Sequence, residues 1–149
     1  MRKMKVSEIK EFIQGHTWAT LCTVSEEGTP YAIEFSYFLL DGNICGLIKT
    51  SGITARNIAN APNVCLKMCR TDDSCREFTA VSVFGRGEFV HDEEAVLKGW
   101  DLLEQRLRLP SGTYSKFKER FMNKKKKYPI FRVKPEKMTG ITTIKKEEG

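Results

Sequence analysis

The chain has 149 residues, 40% of them hydrophobic and 30% charged, with 25 basic against 19 acidic side chains and a formal net charge of +6. That length fits one domain with a real core, and no apolar run approaches the roughly 18 residues that cross a membrane. The basic opening, Met1 to Lys5, is followed by Glu8, Lys10 and Glu11 rather than by an apolar secretory segment, so a cytoplasmic location is expected.

Val6 to Gln14 reads as an opening helix with Val6, Ile9, Phe12 and Ile13 on one face. Ser7 is its expected N-cap, and Gly15 ends it. Thr17 to Val24 is an apolar strand, and a polar turn closes on Gly28-Thr29-Pro30. Tyr31 to Leu40 is a second strand; its period of two sets Ala32, Glu34 and Ser36 on one face and Ile33, Phe35 and Tyr37 on the other. After the tight turn Asp41-Gly42-Asn43, a third strand (Ile44 to Lys49) runs into Thr50-Ser51-Gly52. A short helix, Ile53 to Asn60, stops before Pro62, and a fourth strand covers Asn63 to Met68.

Arg76 to Val90 is strongly β-favouring, and Gly85 and Gly87 around Arg86 predict a bulge or a close backbone approach. Asp92 is the expected N-cap of a helix whose apolar stripe is Ala95, Leu97, Trp100, Leu103 and Leu107. A second helix, Thr113 to about Lys124, carries Tyr114, Phe117 and Phe121 on one side. Tyr128 to Val133 is the last strand, within a closing segment 127–144. The whole of 1–149 reads as one domain: an N-terminal helix (1–15), barrel strands with the short helix 53–60 (16–91), a helical segment (92–126), the closing strand (127–144) and a tail (145–149). Consecutive strands on tight turns predict antiparallel pairing, which makes the fold mainly β: a six-stranded antiparallel split β-barrel with helices packed outside.

The five cysteines, Cys22, Cys45, Cys65, Cys69 and Cys75, are odd in number and read as free thiols. A zinc site from Cys65, Cys69 and Cys75 with His16 or His91 is disfavoured, because the short ligand spacings of structural sites are missing, and no metal is expected. His16 and His91 stand at element ends and read as capping or surface residues. Lys124 to Lys127 reads as a solvated loop or helix end. No aromatic ladder interleaves with those lysines to stack bases, so nucleic acid is a disfavoured partner.

Chemistry concentrates at Lys49-Thr50-Ser51-Gly52-Ile53-Thr54-Ala55-Arg56-Asn57. The first N–H groups of a helix lack intrahelical partners, and its dipole favours an anion there. Ser51 or Thr54 can cap the helix or offer a hydroxyl, while Lys49 and Arg56 add full charge. The spacing alone also suits an ordinary capped helix with two surface cations, and no strict P-loop pattern is present. Glu34 reads equally as a solvent-facing strand residue and as a ligand contact.

The order of these pieces resembles the FMN-binding split barrels related to pyridoxamine 5′-phosphate oxidase. The resemblance rests on Ala19-Thr20-Leu21-x-Thr23-Val24, Gly28-x-Pro30, Gly42, Lys49-Thr50, Asn57-Ile58, Pro62-x-Val64, Val81-x-Val83-Phe84-Gly85-Arg86, and Phe131 to Glu136 with Thr139-Gly140. Nitroimidazole-resistance proteins and general flavin-binding relatives are the nearest subgroup. The resemblance implies a homodimer with FMN at the subunit interface. The flavin edge would lie on Ile33, Glu34, Phe35 and Ser36, and the phosphate near Lys49, Thr50, Ser51, Thr54, Arg56 and Asn57. Trp100 or the Arg86 region would cover the ring of the partner subunit. It also implies an oxidoreductase acting on a small molecule, with NADH or NADPH as candidate donors.

Three departures stand out. Thr54 occupies a position where many relatives carry Lys or Arg. The tail lacks the Trp, Arg-Leu and Pro that hold pyridoxamine phosphate. Lys49-Thr50 stands where the nitroimidazole-resistance group often has His. Three other readings keep the barrel: a flavin carrier or sensor without turnover, a deazaflavin or haem binder, and a basic RNA- or DNA-binding barrel. Haem would need an axial ligand from His16 or His91.

Overall fold

Alternation along each strand decides what the barrel encloses. In the computed structural model, which describes residues 1–124 and 127–145, the elements are β1 (Arg2–Lys3), α1 (Val6–Gly15), β2 (Trp18–Val24), β3 (Pro30–Leu40), β4 (Asn43–Gly46), α2 (Ile53–Asn60), β5 (Asn63–Thr71), β6 (Phe78–Val90), α3 (Glu93–Arg106), α4 (Ser115–Asn123) and β7 (Ile130–Thr142). The sheet runs β7-β4-β3-β2-β5-β6, and β6 pairs back onto β7. Every pairing is antiparallel. The result is the expected closed six-stranded barrel, with β1 as an added strand on β7.

Leu21, Phe35, Tyr37, Leu66, Val81, Val83 and Phe131 point inward, with Ile9, Phe12 and Ile13 of α1 packed against the same cluster. A second apolar layer lies outside the wall: Phe38, Cys45 and Ile130 meet Val96, Trp100 and Leu103 of α3 and Phe121 of α4. β3 serves both layers. Its outer row is exposed at Ala32, Glu34 and Ser36 but covered at Phe38, where the helices begin to overlie the sheet.

Several local expectations change. The cap of α1 is Lys5, whose N–H donates to Glu8 Oε2 at 2.6 Å. Glu8 also pairs with Arg2 at 2.9 Å, because the β1–β7 pairing carries Arg2 over the first turn. Ser7 is not the cap, and Val6 is exposed rather than part of the apolar face. Asp92 does cap α3, accepting from the Ala95 N–H at 2.9 Å. The buried stripe of α3 is rotated to Val96, Gly99, Trp100, Leu103 and Glu104.

β7 is longer than its apolar start because it continues through Lys134-Pro135-Glu136. Phe84 faces Lys137 and Gly85 faces Pro135, so one residue is looped out opposite Gly85. This is the expected bulge, and only glycine fits there: a Cβ on Gly85 would collide with the Lys134 carbonyl oxygen.

A buried carboxylate and a half-buried guanidinium tie the helices down. Glu104 accepts from the N–H groups of Gly112 (3.1 Å) and Tyr114 (2.7 Å), closing the α3–α4 connection. Arg106 Nη2 donates to the carbonyls of Ile13 (2.7 Å) and His16 at the end of α1, and its guanidinium lies 4.6 Å from the Tyr37 ring centroid. Among the described residues no helix is long and apolar enough to cross a membrane. The five cysteines are free thiols, and no described cluster of three His, Cys, Asp or Glu could hold a metal ion.

Candidate functional site

β4 ends at Gly46, and the chain then leaves the sheet through Leu47 to Ser51 before α2 begins. Gly52 holds the N-cap position with φ 106°, a region that L side chains rarely adopt. It therefore replaces Ser51 and Thr54 as the cap, and no side chain caps this helix. The first intrahelical bond runs from the Arg56 N–H to the Gly52 carbonyl at 3.1 Å. The N–H groups of Ile53, Thr54 and Ala55 precede it and have no carbonyl within the helix to meet.

The anticipated site residues fall into three groups. Lys49, Thr50 and Ser51 line one cavity of about 510 Å³. Ile53 at the start of α2, Arg56 and Asn57 line a different depression of about 340 Å³ with Ser25, Glu26, Glu27 and Asn60, and the two share no lining residue. Asn57 is buried, and its Nδ2 donates to Thr23 Oγ1 at 3.0 Å, a tie between α2 and β2. Thr54 is buried as well.

On β3 the side chains of Ile33 and Phe35 turn toward the barrel interior, Phe35 against Phe131 with ring centroids 6.3 Å apart. Glu34 and Ser36 face outward, and Glu34 accepts from Thr20 Oγ1 at 3.4 Å. Tyr37 pairs with Gly46, so Ser36 lies next to the point where the chain departs for Lys49.

The larger cavity has a composition that the sequence did not announce. Trp100, Phe117 and Tyr128 supply aromatic walls, and Arg120 and Lys127 join Lys49 as cations. The guanidinium of Arg120 lies 5.7 Å from the Phe117 ring centroid, and Lys127 Nζ lies 5.9 Å from that of Tyr128. No carboxylate is among the described lining residues. Trp100 is 2% exposed, yet its indole N–H has no acceptor among the described residues, an arrangement that costs free energy unless something else accepts the bond. Lys127 lines the cavity while remaining exposed, in keeping with the solvated position expected of the lysine run. Lys124 is exposed, and Lys125 and Lys126 lie outside the described residues.

Residues 6–142 match the family model for pyridoxamine 5′-phosphate oxidase. The chain belongs to that family. No curated protein matches it significantly. Among solved structures, a candidate 5-nitroimidazole antibiotic resistance protein from Bacteroides thetaiotaomicron superposes with a TM-score of 0.75 at 16% identity, covering 93% of this chain and 85% of that one. An FAD-binding protein from Mycobacterium smegmatis gives 0.65 at 15% identity, covering 95% and 98%. A haem-binding protein from the same organism gives 0.69 at 15% identity, covering 95% of this chain and 59% of that one. At these identities the likeness concerns the fold, and the pyridoxamine 5′-phosphate oxidase barrel is seen to accompany more than one prosthetic group.

For this member of the pyridoxamine 5′-phosphate oxidase family, the cavity residues missed by sequence reasoning are Phe117, Arg120 and Tyr128, whereas Trp100 is a core residue of α3 as its stripe predicts. A partial signal existed: Tyr114, Phe117 and Phe121 recur at helical spacing, but only Phe121 is fully buried, so Phe117 was left over for another role.

Proposed function

We propose that this chain binds FMN as a homodimer and serves as a flavin-dependent oxidoreductase for a small molecule. The observation that carries this reading is the corner after β4. Lys49, Thr50 and Ser51 line one cavity where the chain leaves β4, and Ser36 of the exposed outer row of β3 lies beside that exit. Such a corner suits a phosphate, because two hydroxyls and a lysine can meet its charge. Thr54, buried, offers no cation there, so Lys49 carries the charge that many relatives place at Thr54.

Bound FMN supplies reversible hydride and electron transfer, while the chain's part is to hold the phosphate, orient the ring and shelter it from water. The outer face formed by β2, β3, β5 and β6 keeps Trp18 and Phe84 each 42% exposed. A second copy seated there would cover these rings and the Glu34–Ser36 row together. Haem suits the chain less well, because His16 is buried in a stack with Phe12, ring centroids 5.1 Å apart, which leaves the exposed His91 as the candidate axial ligand.

Titration of the purified protein with FMN, followed by fluorescence quenching, tests the reading. Lys49→Gln is expected to weaken binding about tenfold, the scale of one charge-assisted contact. Arg56→Ala, across the helix start in the other depression, should change it by no more than about twofold. Absence of FMN binding, or loss of it through Arg56 rather than Lys49, would overturn the placement.

A further inference from the structure

Of the five free thiols, two face each other. Cys22 of β2 and Cys65 of β5 are Cα partners in an antiparallel ladder, so their side chains leave the barrel wall on the same side. That side is the outer one: their chain neighbours Leu21 and Leu66 are fully buried in the core, whereas both cysteines are half-buried. The other three thiols have no such partner. Cys45 is buried in the outer apolar layer, and burial pushes its thiol up to about 12. Cys69 stands opposite Ala80 on the same face as Cys65 but about 13 Å further along β5. Cys75 is exposed in the turn between β5 and β6.

Directly opposed residues of an antiparallel pair have Cα atoms about 4.5 or 5.5 Å apart, inside the roughly 4.4–6.8 Å that a disulfide spans. Their Cβ atoms stand about 4.5–5.5 Å apart in a relaxed ladder, against about 3.8 Å across a bridge. Closing the bond therefore draws β2 and β5 together at this rung, and a bond held under such tension is more readily reduced than a relaxed one. The closeness of the two sulfurs is felt electrostatically. After burial, the facing Cys22 is the next cause that pushes the Cys65 thiol up, and Lys67, the next outward side chain on β5, opposes the rise. In the reduced chain Cys65 Sγ donates to the Leu66 carbonyl at 3.8 Å, a weak contact to give up.

We propose that Cys22 and Cys65 are a modification site, a cross-strand dithiol that hydrogen peroxide converts into a disulfide and that a monothiol such as glutathione restores. One sulfur, as its thiolate, attacks a peroxide oxygen and becomes a sulfenic acid while the second oxygen leaves as water. The other sulfur then attacks the first, the S–S bond forms and a second water leaves. The two thiols lose two electrons and two protons, and the peroxide gains them. Two glutathione thiols reverse the step and become one glutathione disulfide. The bridge removes two hydrogens and adds no atom, so it fits whether or not a second copy covers this face. Nothing in it depends on the flavin.

The test exposes the reduced full chain to a small excess of hydrogen peroxide, then blocks the remaining thiols and digests the protein for mass mapping. The five free thiols should fall to three, and one peptide pair, containing Cys22 and Cys65, should appear joined and two hydrogens lighter than its parts. The bridge should form at a rate independent of protein concentration, as a bond within one chain must. Cys22→Ser and Cys65→Ser, both on the outer face and outside the core, should each abolish the joined pair; Cys69→Ser and Cys75→Ser should leave it. Glutathione should return all five thiols. A bridge between other cysteines, thiols that outlast the peroxide, or over-oxidation of Cys22 or Cys65 without a bridge would overturn the proposal. So would a bridge that glutathione leaves intact.

Discussion

Arg106 and His16 show how single side chains set the relation of the helices to the barrel. Arg106 meets two carbonyls at the end of α1 and stacks on Tyr37, whose own hydroxyl donates to the Ile13 carbonyl at 2.6 Å. Burial pushes the Tyr37 hydroxyl up to about 12, and Arg106 only partly offsets that, so Tyr37 remains a donor throughout the working range. Arg106→Met keeps the stem but loses the charged bonds; it should lower stability by about 2–3 kcal/mol and the thermal midpoint by roughly 5–10 °C. Arg106→Lys should recover little, since a single ammonium does not reproduce the planar fork; full recovery in a thermal melt would show that charge alone suffices.

His16 presents the opposite case. Burial first, then the neighbouring charges of Arg70 and Arg106, hold its imidazole below the ordinary range. The unfolded chain takes up that proton near pH 6.5, before the folded chain does. Stability from neutral His16 is therefore complete above about pH 6.5 and falls as pH drops toward the depressed folded value. Urea midpoints measured on either side of that window should diverge for the native chain and converge for His16→Gln. An unchanged pH dependence in the variant would assign the effect to other groups.

At the scale of elements, the start of α2 is the sensitive point. A Cβ on Gly52 would meet no atom within 4 Å, but φ 106° strains any L residue. Gly52→Ala should thus cost about 1–3 kcal/mol through the backbone alone, and by displacing the adjoining Lys49–Ser51 segment it should also weaken FMN binding. A variant with native stability and native affinity would mean the corner has more freedom than its geometry implies.

The strands were legible because alternation and turn chemistry agree: Leu21 and Thr23 point in while Thr20 and Cys22 point out, and Asp41-Gly42 forms the tight turn between β3 and β4. The full length of β7 was not, since Lys134-Pro135-Glu136 looks like a strand end until the bulge at Gly85 accommodates it. The α3 stripe was misread by a rotation, because Leu97 competes with Val96 for the core and only packing against Phe38 and Ile130 decides between them.

The whole molecule explains why the candidate site was half visible. Lys49, Thr50 and Ser51 are contiguous, so their chemistry shows in the sequence, and they do share a cavity. Arg56 and Asn57 are just as close along the chain, yet the helix turns them to another depression. Arg120 and Tyr128 reach the cavity only through tertiary packing of α3 and α4, which no local pattern encodes. Assembly belongs to this scale too. Trp18 and Phe84 stand exposed on the same outer face, where Cys22 faces Cys65 across β2 and β5. If a second copy covers that face, Phe84→Asp should convert a dimer to a monomer in light scattering and release FMN with it; a variant that remains dimeric would move the interface elsewhere.

The most direct measurement is the visible absorption spectrum of the purified protein, combined with mass analysis of whatever it releases on denaturation and with back-titration of the stripped chain. The account predicts a yellow protein that yields FMN and takes it up again, one per chain. A colourless preparation that stays indifferent to added FMN, or one that releases haem instead, would contradict it.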